Sequence, residues 1–394
     1  MNLLVVSHVR HYRSHGQLHA YGPYVREIEI WADLFDHVRI ASPCVTGAPA
    51  GDALPFTRPN ISIVPQRETG GPALRAKLKQ FALTPFLVLN LCRAMRQTDA
   101  IHVRCPGNLG LLGILLAPLF SRRCVVKYAG QWGDYPGEAW SVRLQRRVLR
   151  SWWWRNGLVT VYGQWPDQPR QIIPFFTSMM SEQQVRKAAT VAACKRLTSP
   201  VEVLFSGRLS ANKNVDLLLR ALAAARHDWR LTVAGDGVMR PQLETLAASL
   251  GIADRVRFLG AIPYDEMMRC YERCHVLVLP SYTEGWPKVL AEAMCHGLVC
   301  AGTAAGLMPW LLDRRGYTFP AGDHRALGAI LNTIFDDPAE FERRSCSGAE
   351  WARQYSLESL RSALDQLFRK HWGESWPAEA RVDYRAATIR ERCS

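Results

Sequence analysis

The sequence predicts an α/β protein built as two Rossmann-like, doubly wound domains that face each other across a cleft. Three observations carry that prediction. The chain has 394 residues, which suits two domains at about 150 residues each. Short apolar runs alternate with longer amphipathic segments, the signature of βαβ units around parallel sheets. The alternation halts after Tyr162 in GQWPDQPRQIIPFF, a stretch rich in Pro and polar residues, and restarts at Val201.

In the first half, the pattern predicts a strand over 3–7, a polar Gly-containing loop, an amphipathic helix over about 23–35 and a returning strand over 38–41. Further strands are expected over 61–64, 100–103, 125–128 and 158–162. The longest apolar stretch, GNLGLLGILLAPLF at 107–120, contains Pro118 and falls short of the ~20 residues that span a bilayer. It reads as a buried helix. The second half is cleaner. Strands over 201–206, 230–234, 256–259, 276–279 and 298–301 alternate with helices over 215–225, 241–250, 265–273 and 287–296. Residues 351–372 read as helical. Open α/β sheets bind ligands beyond the carboxyl ends of their strands, so the active site is expected in the interdomain cleft. The expected domains are 1–180 on the acceptor side and 181–345 on the nucleotide side. A helix over 346–372 would cross back to the first domain, and 373–394 would form a polar tail.

Composition narrows the function. Apolar residues make up 48% and charged residues 21%, which excludes a disordered chain, collagen or a coiled coil. Lys and Arg number 49 against 35 Asp and Glu, a formal charge of +14. Such an excess points to nucleic acid, an anionic membrane surface or a phosphorylated substrate. Zinc-finger spacing, an RNP-type aromatic motif and a basic tail are all missing, so nucleic acid ranks last. The 11 Cys form no CxxC pair and read as reduced thiols, Cys270 and Cys274 included. MNLLVVSHVR lacks the basic segment and apolar length of an export signal, so a cytoplasmic location is expected.

The chemistry concentrates in two segments. Breaking a glycosyl–phosphate bond leaves a diphosphate with more negative charge, which a metal-free site must meet with fixed cations and aligned backbone N–H groups. In GRLSANKN, directly after a strand, Arg208 and Lys213 stand where they would serve; solvated loop cations are the plainer alternative. In LPSYTEGWPKVLAEAMCHG, Pro287 suits the first turn of a helix, and the N–H groups near Gly285 and Trp286 would face the cleft at its N-terminus. Glu284 precedes that helix and Glu292 lies inside it, eight residues on. At ~1.5 Å per residue they stand on the order of 12 Å apart. That is too far for an acid/base pair on one bond. Hydroxyls at the two ends of a nucleotide sugar would suit them, with the pyrophosphate between; for Glu292 a solvated helix position is the alternative.

GRLSANKN, AGDG, VRFLG and EGWPKVLAEAMCHGLVCAGTAAG together resemble glycosyltransferase family 4, retaining enzymes of the GT-B fold, and within it bacterial exopolysaccharide and lipid-linked glycan glycosyltransferases. The resemblance is strong over 201–323 and an outline elsewhere. It implies that Arg208 and Lys213 hold the diphosphate, Glu284 the donor sugar and Glu292 the ribose, with the Gly285–Trp286 backbone on the donor. It implies a hexosyltransferase that needs neither metal nor cofactor and takes a nucleotide sugar and a glycan or lipid-linked acceptor. The N-terminal half departs from the pattern. Where many relatives place a His at the tip of the fourth strand, VVKYAGQWGDY offers Gln131, Trp132 and Asp134. The first βα loop lacks tandem glycines, although Gly16 and Gly22 would let backbone approach a phosphate, and its histidines at 8, 11, 15 and 19 invite a metal reading that Gly16 argues against.

SVRLQRRVLRSWWWR, residues 141–155, leaves two readings open. Either the Trp run is buried and the Arg residues are solvated, or Arg143, Arg146, Arg147 and Arg150 lie on anionic lipid with Trp152 to Trp154 at the interface. RAKLKQF at 75–81 offers a second basic edge. A retaining glycosyltransferase is the function expected. A catalytically silent sugar-nucleotide-binding or membrane scaffold protein, a GT-B epimerase and, lower still, a phosphorylase are the alternatives.

Overall fold

The structure, a computed structural model, describes residues 1–68, 74–373 and 376, with backbone alone over 74–81. The predicted polar tail beyond Gly373, Trp376 excepted, and the side chains of the basic stretch 75–81 lie outside the described residues.

The N-terminal domain runs β1 (Asn2–Val6), β2 (His11–Ser14), β3 (Gln17–Tyr21), α1 (Gly22–Ala32), β4 (His37–Thr46), β5 (Ala53–Pro55) and β6 (Ile61–Gln66). It continues through α2 (Leu74–Met95), β7 (Ala100–Cys105), α3 (Asn108–Phe120), β8 (Cys124–Tyr128), α4 (Trp140–Arg150), β9 (Leu158–Tyr162) and β10 (Ile172–Phe175). Its parallel core has the order β10-β9-β8-β7-β1-β4, with β6 also on β4. The long β4 pairs β1 and β6 through its first half, then β2 through Cys44 to Thr46. From there β3 and β5 extend the sheet antiparallel.

The C-terminal domain begins with α5 (Glu182–Ala193) and β11 (Val201–Ser206), then α6 (Val215–Ala223), β12 (Trp229–Ala234), α7 (Arg240–Ser249), β13 (Val256–Gly260) and α8 (Tyr264–Arg273). There follow β14 (Val276–Leu279), α9 (Lys288–Cys295), β15 (Val299–Thr303), α10 (Met308–Leu312), β16 (Gly316–Phe319), α11 (His324–Asp336) and α12 (Pro338–Ala352). Its six strands are all parallel, in the order β13-β12-β11-β14-β15-β16. Helices cover both faces, and the strands are accordingly near-continuous apolar runs such as VLVL in β14.

Three departures from the sequence reading have local causes. Part of the expected linker is strand: β10 pairs β9 from Ile172 to Phe175, and Pro174 is tolerated because β10 is the sheet edge, where a missing N–H breaks no ladder. The connection between domains is the short buried run Thr177 to Met180, followed by α5, whose capping box joins Ser181 and Gln184 reciprocally. The helix expected over 351–372 is two. α12 ends at Ala352, and Ser356 opens α13 (Leu357–Trp372) by accepting the Ser359 N–H at 2.9 Å. After that break α13 packs on the N-terminal domain, where Leu360, Leu364 and Phe368 join the core beneath α1, with Phe368 5.5 Å from the Trp31 ring.

Candidate functional site

The C-terminal sheet reverses its winding between β11 and β14. From β11 the chain moves outward to β12 and β13, and from β14 to β15 and β16. The two loops leaving this pair of neighbours cannot be covered by a crossover, so they open a crevice. They are the loops that carry the sequence-predicted charges. Lys213 Nζ donates to Glu284 Oε1 at 2.5 Å, and both side chains are only partly exposed. A second tie fixes the register of the loops: Thr283 Oγ1 donates to Asn212 Oδ1 at 3.1 Å, and the Tyr282 N–H to the Asn212 carbonyl at 3.0 Å. Arg208 stands exposed at the start of the first loop.

Glu292 is not a solvated helix residue. It is buried, 6% exposed, and accepts from the Tyr271 hydroxyl at 2.9 Å. Burial pushes its carboxyl above the usual range, against the hydrogen bond from Tyr271 and the charges of Lys288 and Arg26. Pro287 lies immediately before the first helical residue, Lys288, rather than within the helix. At Gly285 the domains meet: a β-carbon there would lie 3.1 Å from the Ala129 carbonyl oxygen, just beyond β8. The Trp286 side chain is buried among Tyr162, Trp351 and Tyr355 at ring distances of 5.9, 6.2 and 5.2 Å, so it packs the domain junction and only its backbone is left for a ligand.

The glycines of the first loop serve other ends. His15 (φ 47) and Gly16 (φ 77) are the two central residues of the β2–β3 hairpin, a turn of type I′ whose geometry alone accounts for the positive angles. Gly22 opens α1, and its N–H is taken by the Asp52 carbonyl at 2.9 Å. Its neighbour Tyr21 is half-exposed, with its phenol within reach of the charges of Arg208 and Glu292 in the other domain. His11 is buried against Ser42, 2.7 Å away, and stacked on Phe56. At the tip of β8, Gln131 and Trp132 are buried, Trp132 donates to Gln168 at 3.0 Å, and Asp134 pairs with Arg146.

Sequence reasoning missed a buried charge cluster. Glu27 on α1 accepts from Lys127 Nζ on β8 at 2.8 Å and from Arg104 Nη1 on β7 at 3.2 Å. Burial alone would raise Glu27, but Lys127 and Arg104 outweigh it and hold the carboxyl well below its usual range. Charged residues inside the apolar strands AIHVRC and CVVKY were the signal available. The basic helix also divides differently from expectation. Arg146 is buried on Glu138 and Asp134, and Trp154 is buried with its indole donating to the Ile114 carbonyl at 2.9 Å. Neither can touch a membrane. Trp140 and Trp152 are 73% and 71% exposed, and Leu144, Leu115 and Leu119 are exposed near them on α4 and α3, with Arg143 and Arg147 on the same helix as Trp140. None of the described helices is long and apolar enough to cross a membrane.

Residues 194–350 match the family described as glycosyl transferases group 1. D-inositol 3-phosphate glycosyltransferase of Streptomyces avermitilis is 32% identical over 194 residues, 45% of this chain and 42% of that protein. The Streptomyces scabiei protein of the same name is 30% identical over 251 residues, 59% of this chain and 55% of that one. The chain thus spans about half the length of the curated relatives it matches. Among solved structures, sucrose-phosphate synthase from Thermosynechococcus elongatus superposes with a TM-score of 0.71 at 19% identity, over 94% of this chain and 99% of that one. Anabaena HepE in complex with UDP and glucose gives 0.68 at 17%, over 94% and 100%. The fold is GT-B.

Proposed function

We propose that the protein is a retaining glycosyltransferase of family 4 type that moves a hexose from a nucleoside diphosphate sugar to a hydroxyl on a lipid-linked or polysaccharide acceptor. The observation that carries the reading is the meeting of Lys213 and Glu284 at the N-terminal end of α9, with the buried Glu292 further along that helix. In this reading Glu284 receives hydroxyls of the donor sugar and Glu292 those of the ribose. Arg208 and Lys213 then answer the charge that grows on the leaving diphosphate, where fixed cations lower the barrier most. The bond from the anomeric carbon to the β-phosphate oxygen breaks while the acceptor oxygen bonds on the same face, and the acceptor proton passes to the leaving phosphate. No protein base is needed for that step, nor a metal.

The matched relatives, named for transfer to inositol phosphate, support sugar transfer to a hydroxyl, and the UDP and glucose held by HepE support a nucleotide-sugar donor. The exposed Trp140, Trp152, Leu115 and Leu119 beside Arg143 and Arg147 support peripheral docking of the N-terminal domain on the anionic inner membrane from the cytoplasm, where a lipid-linked acceptor would be met. The test is a panel of UDP-, GDP- and ADP-sugars, first by thermal shift and then by turnover with lipid-linked and soluble acceptors. One nucleotide family should raise the melting temperature, since a ligand held only by the native state stabilises it. The product should keep the donor's anomeric configuration. Donor affinity without transfer to any acceptor would mark a silent binder instead.

A further inference from the structure

The cluster around Glu27 reaches across the domain boundary. Lys288, the first residue of α9, feels Glu27, Lys127 and Arg104 of the N-terminal domain and Glu292 of its own helix. It forms no ion pair or hydrogen bond through its ammonium group among the described residues, although it is only partly exposed. Glu27 is already shared by Lys127 and Arg104, and Glu292 is engaged by Tyr271. Three cations therefore share two carboxylates where water reaches poorly, an arrangement that an incoming anion relieves. Lys288 and Glu292 also border one small cavity of about 10 Å³, no larger than a single water, so the ammonium group has no room for an anion on that side and is left to the open cleft.

We propose that Lys288 is a third cation for the phosphate groups of the donor, reaching the leaving diphosphate from the first turn of α9 in concert with Arg208 and Lys213. The inference rests on the glycosyltransferase reading. If Glu284 takes the sugar and Glu292 the ribose, the phosphates lie between them, and Lys288 stands four residues from each. The positive end of the α9 dipole favours an anion at the same place, although the Leu290 N–H is already taken by the Pro287 carbonyl at 3.0 Å. In the free protein, burial pulls Lys288 down to about 7, with Lys127 and Arg104 adding to it against Glu27 and Glu292. A diphosphate beside it restores the ammonium form, so donor binding takes up a proton near neutral pH.

The experiment is calorimetry of UDP, GDP and ADP at pH 7.5 in two buffers of different ionisation enthalpy, on wild type, Lys288→Met and Lys288→Arg, with folding checked by circular dichroism. For the nucleotide that wild type binds, proton uptake is expected. Lys288→Met should lose the uptake and weaken the diphosphate roughly 10- to 150-fold, as the loss of a charge-assisted hydrogen bond implies, with the matching monophosphate weakened less. Lys288→Arg should keep most of the affinity without the uptake. If Lys288→Met does not fold, the Lys288→Arg comparison decides: uptake equal to wild type overturns the proposal. Unchanged affinity and uptake in Lys288→Met overturn it too. A wild type that binds no nucleoside diphosphate would overturn the glycosyltransferase reading itself.

Discussion

Glu292 holds a carboxylate inside the protein whose one side-chain hydrogen bond among the described residues comes from Tyr271, which leaves acceptor capacity that a ribose diol would use. Glu292→Gln keeps an oxygen for Tyr271 and the volume of the side chain, so the fold should survive. Donor binding should weaken about 10- to 150-fold through the loss of charge-assisted bonds. Titration calorimetry with the preferred nucleotide sugar reads this directly, and an unchanged Kd would sink the ribose assignment. At Lys213 two effects combine, since Lys213→Ala removes a cation and also releases Glu284 from its one ion pair among the described residues. Lys213→Ala is therefore expected to lower kcat/KM more than Arg208→Ala, since Arg208 stands exposed and forms no ion pair among the described residues. Both variants should fall well below wild type, whereas EDTA should cost little. Activity abolished by EDTA and restored by a divalent ion would refute the cation-only account.

Elements differ in how legibly the sequence declares them. The strands β11 to β15 are sandwiched between helices, so both faces are apolar and their runs stand out from the loops. By contrast β2 (HYRS), β3 (QLHAY) and β5 (ALP) are short, mixed and at the sheet margin, where pairing with neighbours decides the conformation. Arg208, Lys213 and Glu284 were legible because each follows a clear strand, and the order of those strands was enough to bring their loops together. Lys288 and Glu27 lie in opposite halves of the chain, and only the closure of one domain on the other joins them. The basic helix was half legible. Its period showed charge and Trp on one element, but the inward turn of Arg146 and Trp154 depends on Glu138 and on the packing of α4 against α3. The docking face that remains consists of Trp140, Trp152, Arg143 and Arg147 with the exposed leucines of α3. Replacing Arg143 and Arg147 with Ser should weaken binding to phosphatidylglycerol vesicles by about 2 kcal/mol, or roughly 30-fold, at ~1 kcal/mol per basic residue. Replacing Trp140 and Trp152 with Ser should weaken it at every salt concentration. Co-sedimentation of both variants with wild type tests the face, and equal sedimentation would reject it.

Across the whole molecule, histidines buried in a neutral form make the fold sensitive to acid. His11 beside Ser42 and His102 against Trp31 belong to the N-terminal domain, and burial holds them at about 4 and about 3. His275 in the C-terminal domain is likewise lowered to about 4 by burial, with Lys195 adding to the effect. Each binds a proton more readily in the unfolded chain, near 6.5, so the unfolded state gains protons first and stability falls as pH drops from about 6.5 toward 4. At pH 5, His11 and His102 each account for about 2 kcal/mol of that loss. Together they are a large share of a typical net stability of about 5 to 15 kcal/mol. Glu27 acts lower down. Its carboxyl is held below the ordinary value by Lys127 and Arg104 despite its burial, so the stability it contributes is present above about 4.5 and is lost as pH falls further. Urea unfolding at pH 7, 6 and 5 should therefore show a falling midpoint at constant slope before any carboxylate step. His102→Phe keeps the stack on Trp31 and removes two buried ring nitrogens that lack side-chain partners, so its midpoint should fall less between pH 7 and pH 5 than that of wild type. Parallel losses in the two proteins would show that His102 takes no part in the acid transition, and a wild-type midpoint that stays level from pH 7 to pH 5 would refute the account for all three histidines.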